Sequence, residues 1–356
     1  MNAILPDEQR MLAESARKVF ARGAGAPQAR WSEFAELGWL ALPVPEAHGG
    51  LAGGLPDLCV LAEELGRGLA VEPYVACSVL GGMLLADVAP AALRAAWLPA
   101  LAEGGRRVAF APWEPNARHD ARAIATQARP AAEGWQIDGE KALALGAAGA
   151  HAWLLAARTG AARLGLFLVE AGAPGLQQHT HGLYDGRQAA SLRLQGAQAT
   201  LLLEAADAEV HARIATALGR AAIVHAAETV GTMARAFETT RDYVATRQQF
   251  GKPIAANQVV QHRLVDLYVE IEEARALVRA AAAAPRPAMA SAAAALVAQT
   301  ARHVWEESIQ LHGAIGMTEE CAVGACVRRL ALASSAYGDA HHHLAALADQ
   351  LLEDAA

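Results

Sequence analysis

The hydrophobic pattern of the first hundred residues is helical. Leu12, Ala16 and Val19 recur every three or four positions, which is the spacing of one helix face. Similar patterns cover 31–38, 57–66, 75–86 and 91–101, and Pro43–Gly50 interrupts them with prolines and paired glycines. The pattern therefore predicts an N-terminal helical domain over residues 1–105.

The pattern then changes to short runs of β-compatible residues separated by Gly, Pro and Asp turns. The runs are Val108–Ala111, Trp135–Ile137, Trp153–Ala157, Leu164–Val169 and Ser191–Leu194. We predict that residues 106–206 form a middle antiparallel β domain.

The helical period returns from residue 207. It predicts four long helices, at Ala212–Thr246, Gln258–Ala284, Ala288–Leu311 and Ala322–Leu352. Short connections such as Pro285-Arg286-Pro287 indicate antiparallel neighbours, because proline cannot continue the first helix. The fold class is therefore α+β, mostly α, with a C-terminal four-helix bundle over residues 207–356.

Composition narrows the classes of function. The chain has 356 residues and a net charge of −7, without a Lys/Arg block that would predict a nucleic-acid groove. The longest apolar region, 274–304, contains Arg275, Arg279 and two prolines, so no membrane span is expected. Because Met1–Arg10 is polar and charged, no signal segment is expected either. We expect a cytoplasmic protein.

Metal ligands do not form a recognisable set. The four cysteines include no Cys-x-x-Cys pair. His341-His342-His343 falls on a predicted helix, where consecutive side chains point in different directions. His225 and Glu228 share a helix face, but no second pair supports them. No metal site is expected.

Two segments of the predicted bundle carry candidate chemistry. Arg247-Gln248-Gln249-Phe250-Gly251-Lys252-Pro253-Ile254 places an Arg at a helix end, where a guanidinium suits phosphate recognition. In Gln310-Leu311-His312-Gly313-Ala314-Ile315-Gly316, the glycines allow a ligand to approach the backbone closely.

Together the motifs resemble the acyl-CoA dehydrogenase family. Besides the two segments above, Pro45-Glu46 with Gly49-Gly50, Glu63-Glu64-Leu65-Gly66 and Gly134–Lys141 match the family in order and spacing. The chain is most similar to its shorter members. Those include subunits of heteromeric dehydrogenases such as the small-subunit type of pimeloyl-CoA dehydrogenase.

The resemblance implies a cofactor and partners. The cofactor is FAD, and Arg247 meets its pyrophosphate or adenosine side in a neighbouring subunit. A homo- or heterotetramer, an acyl-CoA substrate and an electron-transfer flavoprotein as electron acceptor are implied as well. The implied cofactor-binding residues are Arg247, Gln249, Phe250, Gln258, Gln310, Gly313 and Gly316.

At the catalytic base the chain departs from the family pattern. The family uses a glutamate, but the C-terminal pattern here reads Tyr337-Gly338-Asp339, and the other usual position falls at about Ala221. Glu228, one heptad later on the same helix face, and Asp339 are the candidates. Each also has a structural interpretation, as a hydrogen-bonded bundle glutamate and as a helix-start aspartate. A third alternative is that a partner subunit carries the base.

Contacts to the flavin ring do not transfer from the family. The corresponding stretches read Pro112–Asp120 and Ala142–Leu145. Three functions therefore remain open. They are dehydrogenation of an acyl-CoA to the α,β-enoyl-CoA, a non-catalytic subunit that completes a partner's FAD site, and a flavin-free helical scaffold.

Overall fold

The computed structural model describes residues 5–22, 27–318 and 320–354. The first four positions of the polar segment Met1–Arg10 lie outside these ranges. The chain divides into two compact units. The first comprises Met1–Ala24, Leu55–Ala70 and Ala222–Ala356, and the second comprises Gly25–Gly54 and Val71–Ala221. The division into three domains at residues 105 and 206 stays a prediction.

The helices follow the predicted pattern closely. They are α1 (Asp7–Ala21), α2 (Pro27–Glu36), α3 (Leu55–Arg67), α4 (Met83–Val88), α5 (Ala91–Ala102), α6 (Asp207–Thr246), α7 (Gln258–Ala283), α8 (Pro287–His312), α9 (Ala322–Ala333) and α10 (Ala340–Asp354). A π-helical segment, Tyr74–Gly82, precedes α4. Among the described residues, no helix combines the length and the hydrophobicity that crossing a membrane requires.

The predicted fourth helix of the bundle is divided in two. α9 ends at Ala333 and α10 begins at Ala340, so residues 334–339 form a connection. Gly338 has φ +121, a backbone conformation that no helix contains. Asp339 then caps the new helix, because its Oδ1 accepts a hydrogen bond from the backbone N of His342 at 2.8 Å.

The second unit contains a seven-stranded sheet. Its strands are β1 (Val108–Phe110), β2 (Gln127–Pro130), β3 (Trp135–Leu145), β4 (Ala152–Gly160), β5 (Arg163–Glu170), β6 (Leu176–Gly182) and β7 (Gln188–Ala206). The order β1-β4-β2-β3-β7-β5, with β4 also pairing β5, closes the sheet on itself. The predicted runs lie in β1, β3, β4, β5 and β7. β2 and β6 were not predicted, because both strands are mostly exposed and polar and therefore lack a hydrophobic pattern.

Strand direction differs in one respect from the predicted antiparallel domain. Most pairs are antiparallel, but β1 and β4 run parallel from Val108↔Ala152 to Phe110↔Leu154. β2 also pairs β4 in parallel at Gln127↔Arg158. The hydrophobic pattern alone does not specify strand direction, because side chains alternate with a period of two in either case.

In the first unit, α6 is the central helix, since residues 222–234 are all buried. α3 and α6 cross with their backbones in contact. A Cβ added to Gly231 would lie 1.8 Å from Glu63 O, and one added to Gly66 would lie 1.7 Å from Glu228 O. Thr232 Oγ1 donates a hydrogen bond to Gly66 O at 3.0 Å. This crossing therefore requires glycine on both helices.

Gly231→Ala is expected to lower the free energy of unfolding by at least roughly 1–3 kcal/mol, because the methyl group forces the two helix backbones apart. Denaturant unfolding followed by circular dichroism measures the change. Gly172→Ala is the matched control, since a Cβ there meets nothing within 4 Å. Equal stability of the two variants would contradict the proposed requirement for glycine.

Candidate functional site

The two motif-bearing segments of the bundle lie side by side. The Tyr243 ring near the end of α6 stacks on the His312 imidazole, with centroids 4.3 Å apart and planes 19° from parallel. Tyr243 Oη also donates a hydrogen bond to His312 O at 3.3 Å. Since Arg247 follows one turn after Tyr243, the stack places the start of the 247–254 segment at the same end of the bundle as Gln310–Gly316.

The 247–254 segment is a tight β-hairpin. β8 (Gln248–Gln249) pairs with β9 (Lys252–Pro253), and Ile254 N donates to Arg247 O at 2.9 Å. Phe250 at the turn has φ +52, which is uncommon and unfavourable for a bulky residue, and its side chain is 100% exposed. A strained, exposed aromatic residue gains nothing within this chain, so it indicates a contact with another molecule.

Polar side chains around this hairpin are available for binding. Arg247, Gln249, Gln258 and Gln310 are exposed, and their side chains form no hydrogen bond or ion pair with any residue that the structure describes. Gly313 has φ +68, and a Cβ there would meet nothing within 4 Å, so its backbone is open to a ligand. Gly316 is buried beneath it.

These groups fit the FAD that the resemblance implies. A guanidinium donates bidentate hydrogen bonds to a pyrophosphate, and amides bind the polar edges of adenine and ribose. An exposed aromatic ring such as Phe250 offers a face for packing. The structure thus brings all seven predicted cofactor-binding residues to one end of the bundle.

His312 is buried at this end of the bundle and is hydrogen-bonded within α8. Its Nδ1–H donates to Ser308 O at 2.8 Å, and the residue is 5% exposed. Burial lowers the pKa of His312 from its ordinary value of 6.5, although the hydrogen bond to Ser308 opposes this shift. The stack on Tyr243 therefore involves a neutral imidazole.

Glu228 lies in a buried polar cluster. It is 5% exposed, its Oε2 lies 3.0 Å from His225 Nδ1, and its Oε1 lies 3.6 Å from Arg329 Nη1. Arg329 is itself 2% exposed. An ionised carboxylate is tolerated at such a depth because it is paired and hydrogen-bonded. These contacts agree with the structural interpretation of Glu228, which is a glutamate hydrogen-bonded within the bundle.

Asp339 lies beside the same cluster. The Tyr337 ring is 5.1 Å from the His225 ring, and Asp339 follows two residues later, in the connection before α10. Its carboxylate caps α10, as described above. A side chain at Gly338, where the family pattern has glutamate, would bring its Cβ within 2.6 Å of His343 Nε2. Asp339 is thus part of the connection 334–339, and Glu228 is linked to it through His225.

The candidate bases and the hairpin are far apart on the chain's own scaffold. Glu228 lies within α6, a single helix, and Arg247 directly follows its last residue, Thr246. At 1.5 Å per residue their separation is roughly 28 Å along the helix axis. Within one chain, the hairpin and the Glu228 cluster are therefore well separated along the helix.

The second unit contains a buried ion pair that sequence patterns missed. Lys141 Nζ donates to Glu114 Oε1 at 2.7 Å, and the same carboxylate accepts from Thr126 Oγ1 and from the backbone N of Ala125. Lys141 lies on β3 four residues after Ile137, and both side chains are buried. This even spacing along a strand could have predicted the burial of Lys141 from the sequence. These bonds fix the position of Glu114, which lies in the stretch 112–120 where flavin-ring contacts do not transfer from the family.

Opposing effects set the protonation of this pair. Burial raises the pKa of Glu114, but Lys141 and the hydrogen bonds outweigh it, so the pKa stays below its usual value. Burial also lowers the pKa of Lys141, against the attraction of Glu114. Removing one partner would leave the other buried without its charge partner.

Family comparisons agree with the motifs. Residues 6–105 match the family model "Acyl-CoA dehydrogenase, N-terminal domain", and residues 211–352 match "Acyl-CoA dehydrogenase, C-terminal domain". The chain is 30% identical over 323 residues to acyl-CoA dehydrogenase FadE12 of Mycobacterium tuberculosis, covering 85% of this chain and 82% of that protein.

Solved structures share the fold. A variant of the Tcur3481-Tcur3483 steroid ACAD superposes with a TM-score of 0.87 at 30% identity, over 98% of this chain and 99% of that one. Butyryl-CoA dehydrogenase from Megasphaera elsdenii superposes with a TM-score of 0.88 at 24% identity, over 99% of this chain and 100% of the other. At that identity the second likeness supports the fold alone.

The pH dependence of stability is expected to reflect His312. Because the folded-state pKa is lowered, the unfolded chain takes up a proton first as the pH falls below about 6.5. The free energy of unfolding should therefore decrease below that pH, by up to about 1.4 kcal/mol per pH unit until the folded-state pKa is reached. His312→Phe, which keeps a ring against Tyr243, should lose this part of the dependence.

Denaturant titrations at a series of pH values test the expectation. His262→Phe serves as control, because His262 lies exposed on α7 and should keep the wild-type profile. A His312→Phe profile that parallels the wild type throughout would show that this imidazole is not the group responsible.

Proposed function

Since the chain belongs to the acyl-CoA dehydrogenase family, we propose that it catalyses the FAD-dependent α,β-dehydrogenation of an acyl-CoA thioester to the enoyl-CoA. Its cofactor is FAD. The observation that carries the proposal is the convergence of the exposed hairpin and the Gln310–Gly316 segment through the Tyr243–His312 stack. Such a surface has the donors that a dinucleotide requires.

In this proposal the hairpin serves a neighbouring subunit. Arg247 donates to the pyrophosphate or the adenosine side, Phe250 packs beside it, and the open backbone at Gly313 accepts close contact, while buried Gly316 supports the turn that presents it. The amides of Gln249, Gln258 and Gln310 complete the binding surface. The roughly 28 Å along α6 between Arg247 and Glu228 supports a site assembled from two chains.

The chain must also remove a proton from the α-carbon. The α-C–H bond breaks, its electron pair stays on the thioester, and the proton passes to a carboxylate oxygen of Glu228 or Asp339. FAD, when bound, supplies the acceptor for the hydride that leaves the β-carbon. Glu228 must be released from His225 to act, and Asp339 must exchange its capping hydrogen bond.

A second candidate function is a half-site subunit that completes the FAD site of a partner chain. Two observations favour it, since Glu228 is already bound to His225 and Asp339 already caps α10. In addition, the similar steroid ACAD carries a two-part name, Tcur3481-Tcur3483. In this case the partner chain contributes the base.

The remaining elements of the proposal concern assembly and partners. We expect a homo- or heterotetramer, an electron-transfer flavoprotein as the electron acceptor and a cytoplasmic location. We also expect three domains, at 1–105, 106–206 and 207–356.

Purification with and without candidate partner chains tests the two functions. The visible spectrum reports bound FAD, and a panel of fatty, dicarboxylic, aromatic and steroid acyl-CoA thioesters is then screened for bleaching. One FAD per chain with bleaching supports the homomeric enzyme, and one FAD per two chains supports the half-site subunit. Colourless protein in every combination would refute both functions.

Arg247→Gln is expected to weaken FAD binding by roughly 10- to 100-fold, because charge-assisted hydrogen bonds to a phosphate contribute about 1.5–3 kcal/mol. The dissociation constant is measured by equilibrium ultrafiltration of the FAD-loaded protein. Arg241→Gln is the control, since Arg241 is exposed on α6, six residues before Arg247, and bonds its neighbour Asp242. Equal losses in both variants would contradict a specific role.

Glu228→Gln and Asp339→Asn separate the candidate bases. The variant that removes the base should lower kcat by roughly 10²- to 10⁴-fold while retaining FAD. Asp339→Asn keeps an oxygen that can cap α10, so its stability should change little. Stopped-flow bleaching by the best thioester provides the measurement. Full turnover in both variants would exclude both residues and favour a base on the partner chain.

A further inference from the structure

His225 has an unusual set of neighbours. Its Nε2 lies 3.1 Å from Ala333 O, at the end of α9, and its Nδ1 lies 3.0 Å from Glu228 Oε2. A backbone carbonyl only accepts hydrogen bonds, so Nε2 must carry a hydrogen. The ring is 6% exposed.

The contact at Nδ1 then requires a second proton. If the imidazole were neutral with its hydrogen on Nε2, the Nδ1 lone pair would face a carboxylate oxygen, which is repulsive. A hydrogen must lie between Nδ1 and Oε2, on one atom or the other. Arg329 Nη1 lies 3.6 Å from Glu228 Oε1, so a positive charge holds this carboxylate from its other side.

The same ring also connects three parts of the first unit. It extends from α6, bonds the last residue of α9, and packs on Tyr337 with ring centroids 5.1 Å apart. Tyr337 lies in the connection 334–339, directly before Gly338 and Asp339. His225 therefore holds this connection at its start and near its end.

We infer that His225 and Glu228 share one proton and that this pair, held by Arg329, positions the connection 334–339 for the thioester reaction. The inference rests on the proposed function, since Asp339 is one of the two candidate bases. His225 is thus a positioning residue, which acts through the connection that it holds. Among the contacts that the structure describes, Glu228, Arg329 and Tyr337 are the titratable or charged groups that face this pair or its ring.

The proton is tested by ring-selective ¹⁵N-histidine spectra of the full-length, FAD-loaded protein. The spectra are expected to show one imidazole in which both ring nitrogens take part in N–H hydrogen bonds, Nε2 with Ala333 O and Nδ1 with Glu228 Oε2. It should disappear in His225→Phe. It should also be lost in Glu228→Gln, because a glutamine amide donates its own hydrogen to Nδ1. A His225 signal in which Nδ1 shares no hydrogen with Glu228 would overturn the shared proton.

Positioning is tested by His225→Phe, which keeps a ring against Tyr337 and removes both hydrogen bonds. We expect kcat for the best thioester to fall about 10- to 100-fold with KM unchanged, because small displacements of a reacting group have effects of that size. Backbone amides of 336–343 should exchange with deuterium faster than in the wild type. Unchanged kcat together with unchanged exchange would overturn the positioning role.

The matched control is His303→Phe. His303 Nδ1 also contacts a glutamate, Glu270 Oε2 at 2.8 Å, but both side chains are substantially exposed. Neither kcat nor exchange at 336–343 should change in this variant. If His225→Phe fails to fold, His225→Gln retains one hydrogen bond and is measured in the same way.

The outcomes also separate this inference from the proposed function. Wild-type protein that bleaches with no thioester, alone or with a partner chain, would refute dehydrogenation. The histidine spectra and the exchange rates would still decide between a shared proton and an ordinary buried histidine.

Discussion

The contact between Tyr243 and His312 is the interaction on which the candidate site depends. It joins the end of α6 to the end of α8, two helix ends separated by the whole of α7 and α8 in the sequence. Stacking and the bond from Tyr243 Oη to His312 O give the junction a defined orientation. It thereby holds the segments that contain Arg247 and Gly313 at the same end of the bundle.

Elsewhere in the first unit, buried charges constrain how the helices pack. His225, Glu228 and Arg329 lie where α6, α9 and the connection 334–339 meet, and all three are nearly inaccessible to solvent. Burying such groups is unfavourable unless each is paired, so the cluster constrains the helices more strictly than apolar packing would. The same constraint explains why the candidate bases are also structural residues, and why removing one changes both chemistry and packing.

Several elements could be predicted because they depend on local sequence. α1, α3, α7 and α8 have continuous apolar faces, and their bounds agree with the periodicity within a few residues. The break at 334–339 was missed because Ala-rich sequence on either side continues the helical pattern across it. Strand β6 was missed because its side chains are polar on both faces, and the parallel pairing of β1 with β4 depends on a crossover rather than on residue pattern.

The amino-acid sequence by itself determined the family, the sequence of helical and β regions, and the seven residues of the candidate cofactor surface. These features depend on residue types at fixed short spacings, which the chain carries in any conformation. Only the tertiary structure decided that the hairpin meets Gln310–Gly316, that Glu114 pairs with Lys141, and that Glu228 is enclosed by His225 and Arg329. Those contacts join residues far apart in the chain, and their energies depend on burial, which exists only after folding.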